Sequence, residues 1–165
     1  MPQYQTMNIN QAVMAAVAVV AACIAAPASA TTLSRSVDVA ASPDTVWAAV
    51  GGFCAIGEWH PAIASCREDG KTPSTRTLIT KDGAKFVELR TGRSARQYAY
   101  TFLSSPVPVS HYLSTFRVTG KGDGGSTITW SSVYTPDAGK AEAAEAALTG
   151  IYESGLAAIK AKLSH

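Results

Sequence analysis

The chain has 165 residues, a formal net charge of +2, 47% hydrophobic residues and 16% charged residues. That balance excludes a disordered chain, which lacks apolar side chains to bury, and leaves room for one domain. Lys and Arg are scattered, with no basic stripe carrying interleaved aromatics, so no nucleic-acid partner is expected.

The first thirty residues carry no charge. Residues 12–26 form an apolar run closed by Pro27, and Ala28-Ser29-Ala30 then places small residues where a signal peptidase cuts. The expectation is a secretory signal over residues 1–30, cleaved after Ala30. The run falls short of the ~20 apolar residues that a membrane span needs, so no stable membrane insertion is expected after processing. The alternative is Val20-Ala21-Ala22-Cys23, which resembles a bacterial lipobox and would anchor the chain through a lipid on Cys23. Either way the folded unit is one domain over 31–165, secreted or periplasmic. It retains Cys54 and Cys66. An even number of cysteines in an exported chain favours a disulfide, with two buried free thiols as the alternative. Their spacing is not that of a metal finger, and no metal is expected.

Residues 33–41 alternate apolar and polar, as a half-buried strand does. Ser42-Pro43-Asp44 starts a helix: a hydroxyl to cap it, a proline for its first position and an acid in its first turn. Val46, Trp47 and Val50 mark its buried face, and Gly51-Gly52 stops it. Residues 54–59 read as a second short helix ending before Pro61. From residue 62 the period becomes two, which predicts strands over 62–68, 75–81, 85–91, 97–103, 109–119 and 127–134. Asp69-Gly70, Asp82-Gly83, Pro106-Val107-Pro108 and the glycine-rich run at 121–125 supply the turns of an antiparallel meander.

Residues 137–164 are Ala-rich, with Leu148, Ile151, Tyr152, Gly155, Ile159 and Leu163 at helical spacing. They form one long amphipathic helix. Gly150 and Gly155 within it serve either close packing on the sheet or room for a ligand. The fold class is therefore α+β: a curved antiparallel sheet of about seven strands whose apolar face only the C-terminal helix is long enough to cover. Such a sheet does not close tightly on one helix, and a cavity between them is expected.

Alternation assigns the inward side chains. Tyr98, Tyr100 and Phe102 share one phase, as do Tyr112, Phe116 and Val118, and Ile128, Trp130 and Tyr134. With Trp59, His60 and Tyr152 these aromatics are the candidate ligand contacts. They suit a flat, apolar molecule bearing one or two polar groups, or else form an ordinary core with satisfied hydroxyls. His60, at the mouth of the cavity, is either an acid/base group or the cap of the small helix, the second being preferred. His111 is expected at the rim or in solvent, and His165 is terminal. Glu88 and Arg90 lie out of phase with Val87 and Leu89, so both are expected on the outer face; turned inward, Glu88 would be a buried carboxylate. No zinc-protease, phosphate-loop or nucleophile-elbow pattern occurs, and no cofactor is expected. The catalytic candidates are weak ones: His60, Glu88 and Tyr100.

Five stretches carry a family resemblance: Ser42 to Trp47, Trp59-His60-Pro61, Tyr98 to Phe102, Pro106 to Tyr112, and Gly124 to Trp130. On these the chain resembles the SRPBCC superfamily, in its polyketide cyclase/dehydrase and lipid-transport group with START-like, helix-grip architecture. The resemblance implies that fold and a hydrophobic or aromatic small-molecule partner, lipid- or polyketide-like, and it supplies no shared catalytic residue. The first functional expectation is an exported binder. The alternatives are a cyclase/dehydrase-type enzyme, and a periplasmic accessory protein using rim loops near Trp59 and Pro106 to Pro108.

Overall fold

A computed structural model describes residues 29–163. The expected signal segment up to residue 28, with Cys23, and His165 at the other end lie outside the described residues. In chain order the elements are β1 (Thr31–Val39), α1 (Pro43–Val50), α2 (Ile56–Trp59), β2 (Ile63–Glu68), β3 (Thr75–Thr80), β4 (Lys85–Ser94), β5 (Gln97–Ser104), β6 (Val109–Gly120), β7 (Ser126–Pro136) and α3 (Ala141–Leu163).

The strands form one antiparallel sheet in the order β1-β7-β6-β5-β4-β3-β2. Strands β2 to β7 follow one another as a meander, and β1 closes the far side by pairing with β7, Thr31 facing Tyr134 and Val39 facing Ser126. The expected architecture is the one observed.

Local chemistry accounts for the breaks. The Ser42 hydroxyl accepts the Thr45 N–H at 3.3 Å, and Pro43 opens α1. Gly51 ends it in an ordinary right-handed conformation, so its glycine is a matter of space: a Cβ there would lie 2.3 Å from the Trp47 ring. The β3–β4 turn needs Gly83 at φ 89°, a left-handed conformation that glycine adopts freely. The C-terminal helix starts four residues later than its composition suggests, because Asp137 to Lys140 form a turn with Gly139 at φ 69°.

Cys54 and Cys66 are joined in a disulfide, their Cα atoms 5.5 Å apart. It ties the α1–α2 connection to β2, an edge strand. Helix α3 lays Ala144, Leu148, Tyr152, Gly155, Leu156 and Ile159 on the concave face of the sheet. Against them stand the inward side chains of the strands, among them Tyr98, Tyr100, Tyr112, Phe116, Ile128, Trp130 and Tyr134, all at most 4% exposed.

Candidate functional site

Beneath α1 and α2 the inner face of the sheet is filled. Trp59 stacks on Phe116 with ring centroids 5.7 Å apart, Phe116 stacks on Tyr98 at 5.5 Å, and Phe53 meets Tyr98 edge-on at 5.5 Å. Arg76 lies among these rings, its guanidinium 4.1 Å above the Phe53 centroid. Its Nε donates to Glu88 Oε2 at 2.5 Å and its Nη1 donates to the Phe53 carbonyl. Burial alone would lower the affinity of Arg76 for its proton; the facing Glu88 carboxylate, together with Tyr98 and Tyr100, outweighs that and holds it above its ordinary value. Burial pushes the Glu88 carboxyl up while Arg76 pulls against it. A guanidinium does not deprotonate in proteins, and at this separation the two are held as an ion pair.

Glu88 therefore does not sit on the outer face as its strand suggested. Phe86, Glu88 and Arg90 form the inward phase of β4, and Val87 and Leu89 lie half-buried on the outer side. The cause is the neighbouring strand: Arg76 pairs directly opposite Glu88 in the β3–β4 ladder. A polar phase in one strand is tolerable inside when the next strand supplies its counter-charge.

Towards the first half of α3 the packing opens into a cavity of about 60 Å³. Its floor is Phe86, Glu88, Tyr100, Phe102, Tyr112 and Trp130 from the sheet; Ile56, His60 and Ile63 close one side, and Leu148 and Ile151 of α3 roof it. An open groove of about 480 Å³ abuts it, running between the β3–β4 turn, the Pro106-Val107-Pro108 loop and Ala147. Cavity and groove share Ala62, Thr80, Phe86 and Ile151, which form the neck between them. A drug-sized ligand needs roughly 300–1,000 Å³, so the inner cavity alone admits only a head group and the groove has room for a body.

The buried hydroxyls of Tyr100, Tyr112, Ser114 and Tyr152 form one connected network with Trp130. Trp130 Nε1 donates to Tyr100 Oη at 3.0 Å and to Ser114 Oγ at 3.2 Å. Ser114 donates to the Ser131 carbonyl at 2.9 Å. Tyr152 Oη lies 3.2 Å from Ser114 Oγ and 2.7 Å from Tyr112 Oη, and Tyr112 Oη lies 3.4 Å from Tyr100 Oη. Burial, reinforced by neighbouring phenols, raises Tyr100 and Tyr112 well above the ordinary phenol value, so both remain neutral donors at physiological pH.

His60 is buried, 4% exposed, and both ring nitrogens are engaged. Nδ1 accepts the Ala62 N–H at 3.2 Å, which places the ring proton on Nε2, 2.9 Å from the Ile151 carbonyl. Desolvation lowers its pKa and favours the neutral ring. Its backbone N–H also closes α2 on Ile56 O at 2.9 Å. The helix-capping role is present, and the side chain adds a link from α2 to α3.

Of the aromatic and histidine candidates, His60, Tyr100, Phe102, Tyr112 and Trp130 line the cavity. Trp59, Tyr98, Phe116, Tyr134 and Tyr152 do not; they belong to the packed core around it. Trp59 is 5% exposed, so it is no rim residue, contrary to expectation. His111 is exposed at φ 49°, where the β6–β7 register shifts. Sequence reasoning missed Arg76, Phe86 and Leu78. The first was legible by counting back from the Asp82-Gly83 turn, which sets Arg76 opposite Glu88. The exposed apolar side chains Leu103, Leu113 and Val133 lie on the outer face, away from the cavity. No group of three or more metal-ligating side chains occurs among the described residues.

A seven-stranded sheet gripping one long helix over a small, mostly apolar cavity defines a helix-grip protein of the SRPBCC superfamily. The chain belongs to the polyketide cyclase / dehydrase and lipid transport family, whose model matches residues 30–164. No curated protein matches it. Among solved structures it is similar to the protein XoxI from Bacillus cereus, with 31% identity over 80% of this chain and 94% of that one and a TM-score of 0.75. It shares its fold with the Zhui aromatase/cyclase from Streptomyces sp. R1128, at 17% identity over 81% of this chain and 93% of that one, TM-score 0.66. Norcoclaurine synthase from Thalictrum flavum is a further likeness of fold, at 17% identity over 82% of this chain and 94% of that one, TM-score 0.65.

Proposed function

We propose that this protein is exported and holds a hydrophobic or aromatic small molecule, its body in the groove and its tip in the cavity beneath α3. The observation that carries this reading is the junction at Ala62, Thr80, Phe86 and Ile151, where an apolar cavity meets a groove of ligand size. The Cys54–Cys66 disulfide supports export, because such bonds persist in oxidising compartments.

A second reading, cyclase/dehydrase-type catalysis, is favoured by one observation: His60, Glu88 and Tyr100 line the same cavity. Their bonding weighs against it. Both nitrogens of His60 are engaged, Glu88 is paired with Arg76, and Tyr100 is a weaker acid than an ordinary phenol. A general acid or base works best with a pKa near the operating pH and a free proton site.

The test is native mass spectrometry of protein purified from the exported fraction, followed by Phe86→Trp, which fills the neck. A co-purifying hydrophobic molecule that Phe86→Trp expels supports binding at this site. A protein recovered only from the cytosol overturns export. A protein that carries nothing, and binds no apolar probe, overturns binding.

A further inference from the structure

From the groups that border the cavity we infer that it selects a hydroxyl at the tip of its ligand, an alcohol or phenol on an apolar body, and rejects a carboxylate. This rests on the binding role proposed above and adds the chemistry of the head group.

The Arg76–Glu88 pair is buried at one end of the cavity, but it is not presented symmetrically. Glu88 borders the cavity, whereas Arg76 is fully buried behind it among Phe53, Tyr98 and Tyr100. The pair therefore offers its acid to a ligand and withholds its base. Only one Glu88 oxygen is taken by Arg76 Nε. An ionised carboxylate has about four lone-pair sites and donates nothing, so what remains of Glu88 accepts a hydrogen bond.

The hydroxyl network supplies the complementary group. Ser114 gives its proton to the Ser131 carbonyl, so the arrangement that uses every contact has Tyr152 donating to Ser114 and Tyr112 donating to Tyr152. Tyr100 accepts from Trp130 and is left with its own proton, which has Tyr112 at 3.4 Å and Ser114, already accepting from Trp130 and Tyr152, as its neighbours in the network. The 3.4 Å to Tyr112 is long for a bond between hydroxyls, whose usual distance is about 2.7–2.8 Å. Tyr100 is thus the donor with slack, and it borders the same cavity as Glu88.

One acceptor and one donor in so small a space match a group that both donates and accepts. A hydroxyl does. An ether accepts from Tyr100 and leaves Glu88 without a donor. A carboxylate brings a second negative charge into a site whose positive partner is screened behind the first, and like charges brought together in a buried site are strongly disfavoured.

The experiment compares three probes of one shape by isothermal titration calorimetry at neutral pH: 2-naphthol, 2-methoxynaphthalene and 2-naphthoate. The expected order is naphthol first, with the other two weaker by roughly tenfold to a hundredfold, the range for a hydrogen bond to a charged group. Tyr100→Phe, which keeps the ring and removes the donor, is expected to bring naphthol close to the ether in affinity. Glu88→Gln, assayed alongside, is expected to weaken the rejection of naphthoate if the variant folds; the wild-type comparison stands without it. Naphthoate binding as tightly as naphthol, or the ether matching it in the wild type, overturns the selection and leaves the binding role intact. Failure of all three probes overturns the binding role and the selection with it.

Discussion

Beneath α1 and α2, Phe53, Trp59, Tyr98 and Phe116 pack ring against ring around a paired guanidinium, whereas beneath the first half of α3, Phe86, Phe102 and Tyr112 surround a space. Both regions draw on the same residue types and the same strands. The difference lies in what faces them. At the closed end the α1–α2 connection, held to β2 by the disulfide, brings its own aromatics down onto the sheet. At the open end the roof is α3, which presents Ala147, Leu148 and Ile151, none of them aromatic. Aromatic composition therefore does not distinguish a core from a site in this fold; the size of the opposing side chains does. Substitutions at the closed end should be read in stability and those at the open end in binding.

The largest effect that would sharpen this contrast is at Arg76. Replacing it with Met leaves Glu88 buried without its counter-charge, at a cost of roughly 3–5 kcal/mol in urea unfolding. The double variant Arg76→Met/Glu88→Leu is expected to recover most of that loss, because the unpaired charge is gone. A single variant as stable as the parent would mean that the closed end is not held by the pair.

Next come the two helix glycines, which look alike in the sequence and differ in surroundings. A Cβ at Gly155 would lie 2.7 Å from His60 Cδ2 and 3.0 Å from both the Trp59 and Trp130 rings, so Gly155→Ala is expected to destabilise by about 1–3 kcal/mol. At Gly150 nothing lies within 4 Å, and alanine is expected to stabilise by up to about 1 kcal/mol through helix propensity. Equal effects in matched unfolding curves would erase the distinction.

The smallest effect is a pH dependence at the boundary between the two regions. Burial lowers the pKa of His60, so the unfolded chain binds a proton there more readily than the folded one. Stability from this group is present above the unfolded histidine value of about 6.5 and is lost as pH falls below it. His60→Asn is expected to flatten the fall in unfolding free energy between about pH 7.5 and about pH 5.5. An unchanged slope would mean that another group sets it.

Much of the fold was legible because each element carries its own signal: Ser42-Pro43-Asp44 starts α1, period-two alternation marks the strands, and the spacing of Leu148, Tyr152 and Ile159 marks α3. The inward phase of β5, β6 and β7 was legible for the same reason, since their large aromatics have nowhere else to go. Glu88 was not, because whether a carboxylate is buried depends on what the adjacent strand sets against it, and a single strand does not contain that. The division of the aromatics into cavity and core was also hidden. Tyr100 and Tyr98 stand two residues apart on one strand, yet one borders the cavity and the other is sealed under Phe53 and Trp47. That outcome depends on the three-dimensional reach of α1, α2 and α3, not on periodicity.

The pairing of β1 with β7 bears on the order of assembly. Among the described strands, synthesis delivers β1 first and its partner β7 last, with the rest of the meander in between. Until β7 arrives, β1 has no described ladder to join, and the loop that must close to form it runs from Val39 to Ser126. Closure over so long a loop is entropically late and slow. The meander from β2 to β7, built of neighbours in sequence, can pair strand by strand beforehand, so docking of the N-terminal strand is expected to be the step that completes the sheet and seats α3 upon it.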